Sequence, residues 1–224
     1  MELLAGMETA RVMIVEDEPF FREMLSRTLS DEPGIEVVGT TDNGDTAVRL
    51  ADELKPDAIL MDIEIQGTLD GIEAALLIKQ ERPKTGIVIL SAHRDRRYIT
   101  SLPIYDNPGW SYLLKQTVPD VATVVRAIQG CMQGMIMLDP AVVENLRPRE
   151  GSALERLTKR QQSVLELMAQ GFNNAAIAER LTLAEKSVET YINVIYQELE
   201  LSGVEDVHAR VRATILFLNE SQSR

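Results

Sequence analysis

The chain of 224 residues has little cysteine and histidine and no long apolar run. Its single cysteine, Cys131, cannot form an internal disulfide, and no cysteine and histidine cluster suggests a metal centre. No apolar stretch approaches the ~18 residues of a membrane-spanning helix, and the acidic N-terminus lacks a signal-like segment. We therefore expect a protein of the reducing cytoplasm without a membrane segment.

Basic residues are also in the minority, which gives a net charge of −12. Residues 1–146 contain 24 acidic and 13 basic side chains, whereas residues 147–224 contain 11 and 10. This asymmetry predicts two domains with different partners. Neither half is basic enough for broad, nonspecific nucleic-acid binding. With 45% hydrophobic residues the chain is a globular protein and not a disordered one.

Five short apolar runs alternate with stretches of helical periodicity in the first half. The runs are 11–15, 35–39, 58–62, 86–91 and 110–115, and the helical stretches are 19–29, 47–54, 72–78 and 118–132. This alternation predicts an α/β domain with a parallel sheet covered on both faces, in the flavodoxin-like (βα)5 arrangement. Between the last two strands, Pro103 predicts a short or broken helix.

Polar side chains end the first, third, fourth and fifth runs, where such folds place their ligand sites. They are Glu16, Asp17, Asp62, Ser91 and Lys115. Three carboxylates at one sheet edge repel each other unless a cation joins them, and oxygen ligands alone favour Mg²⁺. A hydroxyl and a lysine could bind the remaining oxygens of a phosphoryl group. Any one of these residues alone could be an ordinary strand end, but the full set in this order favours a site.

The second half has only helical patterns. Thr158 and Gln161 form a capping-box pattern, which predicts a helix that ends near Gly171. Further helices are predicted over 173–181, 185–199 and 206–219. A three-residue turn, 182–184, joins the helix over 173–181 to the helix over 185–199. Two helices joined by such a turn form a helix-turn-helix, although the pattern alone fits any small helical bundle. Residues 134–153 are predicted to be a linker with a short helix.

Residues 11–133 resemble the receiver domains of response regulators. The motifs that carry the resemblance are Val-Glu16-Asp17, Leu-Met-Asp62-Ile, Leu-Ser91-Ala and Tyr112-Leu-Leu-Lys115. The resemblance implies that Asp62 accepts a phosphoryl group from a histidine kinase.

The same resemblance implies a role for each neighbouring residue. Glu16 and Asp17 would bind Mg²⁺ together with Asp62 and the backbone carbonyl of Glu64. Ser91 and Lys115 would hold the phosphoryl oxygens, and Tyr112 would be the aromatic switch residue. The family often has a Pro-Gly turn after the phosphoacceptor, whereas this chain has an altered loop over 65–69 before Asp70-Gly71.

Residues 157–201 resemble the LuxR/NarL-type output domain in its Leu157-Thr158 opening and in the Ile177-Ala178 pair of its second helix. The resemblance implies that the helix from residue 185 enters the major groove of promoter DNA and that the last helix forms a homodimer. The predicted DNA-binding residues are Lys186, Ser187, Glu189, Thr190, Asn193, Lys159 and Arg160.

The predicted recognition helix is unusually acidic. Residues 185–200 contain one lysine and four glutamates, a net charge of −3, which reduces the electrostatic attraction to phosphates. Glu189 could still accept a hydrogen bond from cytosine, and Asn193 could pair with adenine. Ala184 stands where the family usually has a serine N-cap.

The sequence therefore predicts a two-component response regulator and not an enzyme with its own turnover. Its parts would be a receiver domain over 9–133, a linker over 134–153 and a LuxR-type helix-turn-helix domain over 154–220. The alternative is a phosphorylation-controlled protein-interaction module whose helix-turn-helix no longer binds DNA.

Overall fold

The computed structural model describes residues 9–92, 109–118, 120–143, 146–148, 151–201 and 208–223. These residues form two compact units, the first made of the described residues up to 134 and the second of those from 135 onward. The segment 93–108, where a short or broken helix is predicted, lies outside the described residues.

The first unit alternates strands and helices. Its elements are β1 Ala10–Val15, α1 Pro19–Ser30, β2 Ile35–Thr41, α2 Gly44–Leu54, β3 Ala58–Asp62, α3 Gly71–Glu81, β4 Gly86–Ser91, β5 Trp110–Leu114 and α4 Val121–Met132. The strands pair in parallel in the order β2-β1-β3-β4-β5. This is the flavodoxin-like order, so the predicted fold class is confirmed.

Local sequence explains where these elements begin. All five residues of β3 are buried, as its unbroken apolar run predicts. Pro19 occupies the first turn of α1, where its missing N–H costs nothing. Asn43 and Asp120 cap α2 and α4, because each side chain accepts a hydrogen bond from a backbone N–H three residues on. Helix α1 contacts α4 and α2 contacts α3, which gives one helix pair to each face of the sheet.

The second unit contains the remaining helices. Its elements are β6 Met137–Leu138, α5 Pro140–Val143, β7 Leu146–Pro148, a 3₁₀ helix over Ala153–Arg156, α6 Lys159–Ala169, α7 Asn174–Leu181, α8 Glu185–Glu198, α9 Ala209–Glu220 and β8 Ser221–Ser223. The capping box of Thr158 and Gln161 is present, so that prediction is confirmed. Thr182 adopts a left-handed conformation between α7 and α8, and Ala184 caps α8 without a side-chain hydrogen bond.

A short β-pairing in this unit has no counterpart in the sequence-based predictions. Strand β7 pairs antiparallel with β8 and lies inside the stretch predicted as a linker. Near it, the Glu220 carboxylate accepts a 2.6 Å hydrogen bond from the backbone N–H of Ala153. Among the helices of the described residues, none is both long and apolar enough to cross a bilayer.

Candidate functional site

The carboxyl ends of the parallel strands bring the predicted site residues of the first unit together. Asp62 is the last residue of β3 and pairs with Leu90 of β4, and the backbone N–H of Lys115 donates to the Ser91 carbonyl. Ligand atoms of Glu16, Asp17 and Asp62 all lie within 4.8 Å of one another. The acidic cluster that the sequence predicts is therefore present as a geometric feature.

Lys115 joins two of the three carboxylates. Its Nζ lies 2.8 Å from Glu16 Oε1 and 2.8 Å from Asp62 Oδ2. Glu16 is fully buried, and Asp62 is 2% exposed. Two nearly buried anions therefore share one cation, which leaves the three-carboxylate cluster with an excess of negative charge.

The pKa values of these groups follow from burial and pairing. Burial raises the pKa of Glu16 to about 7, an effect that the Lys115 hydrogen bond opposes and that repulsion from Asp62 reinforces. Burial also raises the pKa of Asp62, again against the hydrogen bond from Lys115. For Lys115, burial acts to lower the pKa, but hydrogen bonds to Asp62 and Glu16 outweigh it and the pKa is raised.

One buried oxygen of the cluster indicates which ligand its residues fit. Glu16 Oε2 is buried and has no hydrogen-bond partner within the described residues, which is costly for a carboxylate oxygen. Asp17 is only half-buried beside it. A divalent cation with oxygen ligands would satisfy the buried oxygen and reduce the repulsion, so the donor set fits Mg²⁺.

Three further predicted residues lie at the end of β4, on β5 and in the loop after β3. Ser91 is fully buried at the end of β4, and Tyr112 is 1% exposed within β5. The Glu64 backbone N–H lies 3.4 Å from Asp62 Oδ1, which places Glu64 in the loop that leaves the cluster. The roles of the Ser91 hydroxyl, the Tyr112 ring and the Glu64 carbonyl stay predictions.

Sequence reasoning missed two side chains of α1 that contact this site. The Arg22 guanidinium donates hydrogen bonds to the carbonyl oxygens of Glu16 and Asp17. The Phe21 ring lies beneath the ammonium group of Lys115, 5.2 Å from Nζ to the ring centroid. Their positions in the first turn after Pro19 place them near the strand end, but helical periodicity alone does not indicate contacts with a site.

In the second unit, helix α8 has one buried face and one exposed face. Val188 and Ile195 are fully buried, which anchors the helix in the bundle. The predicted DNA-binding residues of α8 lie elsewhere on the helix: Ser187 is half-buried, and the exposed ones are Lys186, Glu189, Thr190 and Asn193. The Thr190 hydroxyl donates to the Lys186 carbonyl, so it is partly engaged with the helix itself.

The two residues that begin α6 are predicted to contact DNA, and they differ in their hydrogen bonds. Lys159 and Arg160 are both exposed. The Arg160 guanidinium donates to the Leu181 carbonyl at the end of α7, which ties the two helices together. Arg180, also on α7, stacks over the Phe172 ring with its guanidinium carbon 3.8 Å from the centroid.

Each of the two units matches the model of a known protein family. The family model described as the response regulator receiver domain matches residues 12–129. The model described as bacterial regulatory proteins of the luxR family matches residues 155–211. The two matches together cover both the acidic cluster and the helix-turn-helix.

Curated relatives match over both units. The transcriptional regulatory protein LiaR of Bacillus subtilis is 36% identical over 198 residues, which span 86% of this chain and 92% of that protein. The nitrate/nitrite response regulator protein NarP of Escherichia coli is 32% identical over 215 residues, or 94% of this chain and 95% of that protein.

Solved structures agree on the fold. A LuxR-family two-component response regulator from Aurantimonas sp. SI85-9A1 has a TM-score of 0.54 and 31% identity, covering 61% of this chain and 94% of its own. A structure of RcsB dimers bound to DNA has a TM-score of 0.55 and 21% identity, covering 93% of this chain and 99% of its own.

Proposed function

Since the chain belongs to the LuxR-type response regulators, we propose that a histidine kinase phosphorylates Asp62 and that phosphorylation controls DNA binding by the second unit. In this proposal residues 9–133 act as the receiver domain and residues 154–220 as the output domain. By name, the relative LiaR is a transcriptional regulatory protein and NarP is a response regulator, which supports a regulator over an enzyme with its own substrate and disfavours a pure interaction module.

The arrangement around Lys115 carries the proposal for the first unit. Its contacts with Glu16 and Asp62 keep a cation next to the phosphoacceptor, and the unpartnered Glu16 Oε2 marks a place for a second one. Glu16, Asp17, Asp62 and the Glu64 carbonyl would hold Mg²⁺. When bound, Mg²⁺ neutralises charge on the transferring phosphoryl group.

The chain's own residues then perform the transfer. An oxygen of the Asp62 carboxylate attacks the phosphorus of a phosphohistidine, and the P–N bond breaks as the O–P bond forms. The electron pair stays on the leaving imidazole nitrogen, which takes up a proton. Lys115 remains beside the new acyl phosphate as a fixed positive charge, and the Ser91 hydroxyl donates to a phosphoryl oxygen. Tyr112 would follow Ser91 and bias a two-state equilibrium.

For the second unit, we propose that the exposed face of α8 enters the major groove and that α9 contributes to a homodimer. Glu189 and Asn193 lie one helical turn apart and are both exposed, so both can reach base edges. Lys159 and Lys186 would contact phosphates.

Phosphorylation is tested with a small phosphodonor, such as phosphoramidate, and Mg²⁺ on the full-length protein. Intact mass should show one added phosphoryl group in the wild type and none in Asp62→Asn. Asp57→Asn is the matched control because Asp57 immediately precedes β3, at the end opposite Asp62, and is exposed. Phosphorylation of Asp62→Asn to the wild-type level would refute the assignment.

DNA binding is tested by selecting bound sequences from a random duplex pool with phosphorylated protein. We expect a recurring motif with two half-sites, as a homodimer requires. The Lys186→Ala variant should bind more weakly. Absence of any enriched sequence at low salt would contradict the DNA-binding proposal and favour an output through protein contacts.

A further inference from the structure

Arg22 lies in the first turns of α1 and reaches back to the loop that follows β1. Its Nη1 donates to the Glu16 carbonyl and lies 3.3 Å from the Asp17 carbonyl. The side chain is 21% exposed. A planar guanidinium has several donors in a fixed fork and can hold two consecutive carbonyls at once. These carbonyls belong to the two residues whose side chains complete the acidic cluster.

The other side of the same guanidinium faces a second loop. Arg22 Nη2 lies 3.9 Å from the Asp42 carboxylate, in the loop after β2. The Asp42 carbonyl accepts a hydrogen bond from Gln66 N–H, and the Gln66 carbonyl accepts one from Gly44 N–H. Because Gln66 lies in the loop that follows Asp62, a continuous set of contacts joins the three loops around the cluster.

We propose that Arg22 is a positioning residue that preorganises the cation site by fixing the peptide planes of Glu16 and Asp17. The inference rests on the proposed function, since it requires that the cluster bind a divalent cation. Without a cation the three carboxylates repel one another, and a loop held only by its own backbone would relax away from Asp62. Arg22 opposes this relaxation through the carbonyls and touches none of the three carboxylates in the cluster, so it acts neither as a metal ligand nor on the reacting atoms.

The consequence is a specific kinetic pattern. A variant without the guanidinium must order the loop when the cation binds, so the cation affinity falls. Once the cation is bound, the reacting groups are the same as in the wild type. Loss of Arg22 should therefore raise the Mg²⁺ concentration for half-maximal phosphorylation and leave the rate at saturating Mg²⁺ nearly unchanged.

The test compares Arg22→Gln and Arg22→Lys with Arg27→Gln in the full-length protein. Arg27 is the matched control because it lies on the same helix, pairs with Glu23 in the preceding turn and has a side chain that is 78% exposed. Arg22→Gln and Arg27→Gln each remove one positive charge, but only Arg22→Gln removes contacts with the loop after β1. Calorimetric titration with Mg²⁺ measures affinity without phosphorylation, and phosphoramidate assays over a range of Mg²⁺ concentrations separate half-saturation from maximal rate.

We expect Arg22→Gln to weaken Mg²⁺ binding about five- to tenfold and Arg27→Gln to change it less than about twofold. Arg22→Lys keeps the positive charge but loses the planar guanidinium, so its Mg²⁺ affinity should lie between those of Arg22→Gln and Arg27→Gln. This variant also allows the affinity to be measured if Arg22→Gln does not fold. Equal affinities for Arg22→Gln and Arg27→Gln would overturn the positioning role, as would a lower maximal rate at unchanged affinity. If the wild type itself binds no Mg²⁺, the proposed function fails and this inference fails with it.

Discussion

Lys79 on α3 is a buried lysine, and its burial should reduce the stability of the first unit in a pH-dependent way. It is 2% exposed, its Nζ donates a 2.9 Å hydrogen bond to the Pro83 carbonyl, and the Trp110 ring centroid lies 5.9 Å away. Burial lowers the pKa of Lys79 from 10.5 to about 8, and the neighbouring Cys131 acts in the opposite direction. Replacement of Lys79 by methionine keeps the chain length and removes the charge.

The expected effect has a definite sign. Between pH 8 and 10.5 the unfolded chain holds a proton on Lys79 that the folded chain has lost, so the free energy of unfolding rises with pH. The cost of burying the charge is complete below the folded pKa and absent above the unfolded pKa. The shift from 10.5 to about 8 corresponds to at most about 3.5 kcal/mol, at roughly 1.4 kcal/mol for each pKa unit.

Urea unfolding across pH 7 to 10.5 measures this cost. The single tryptophan, Trp110, is 1% exposed on β5, so its fluorescence reports unfolding of the first unit. We expect the stability of the wild type relative to Lys79→Met to increase by about 3 kcal/mol over this range. The exposed Lys84 supplies the control, since Lys84→Met should run parallel to the wild type. Parallel curves for Lys79→Met as well would refute a buried, charged Lys79.

Three further predictions concern single positions. A Cβ on Gly71 would lie 1.7 Å from the Asp62 carbonyl oxygen, so Gly71→Ala should cost at least about 2 kcal/mol in urea unfolding and impair phosphorylation; Gly130→Ala, where a Cβ meets nothing within 4 Å, should do neither. Thr158→Ala removes the N-cap of α6 and should lower stability by about 1 kcal/mol in circular dichroism melts, whereas an unchanged melt would mean that the cap contributes nothing. Glu189→Lys replaces an acidic by a basic side chain on the proposed DNA-facing side of α8 and should steepen the fall of log K with log salt by about 1; an unchanged slope would contradict contact of this face with DNA.

The sequence predicts best what short-range physics decides. The bounds of β3 and β4 follow from continuous apolar runs, and both match the prediction. Pro19 and the Thr158–Gln161 pair also lie where capping preferences place them. Because parallel strands end at one edge, strand order alone was enough to predict that Asp62 and Lys115 lie close together.

Contacts that depend on side-chain reach could not be predicted in the same way. Arg22 lies three and seven residues before Leu25 and Leu29, so periodicity places it on the buried face of α1 and Arg27 on the exposed face. Periodicity does not identify the partner of Arg22, because the reach of its guanidinium to the loop carbonyls depends on the tertiary position of the loop after β1. The pairing of β7 with β8 is equally nonlocal, because it joins segments separated by the whole helical unit.

The altered loop after β3 shows how a local departure from the family pattern leaves the acidic cluster intact. Its outer part is held by α2, where the Asp45 carboxylate accepts hydrogen bonds from the Thr68 backbone N–H and hydroxyl. These hydrogen bonds lower the pKa of Asp45, so the attachment persists in the ionised state.

The end of the loop that leads into α3 is bonded back to the residue that follows β3. The Gly71 N–H donates a 3.0 Å hydrogen bond to the Ile63 carbonyl, and Asp70 forms a complete capping box with Glu73 at the start of α3. The two ends of the loop are therefore fixed independently of what lies between them. Since loop length adds little to the closure cost when the ends are already fixed, variation in this loop can change the surface beside the site without moving Asp62.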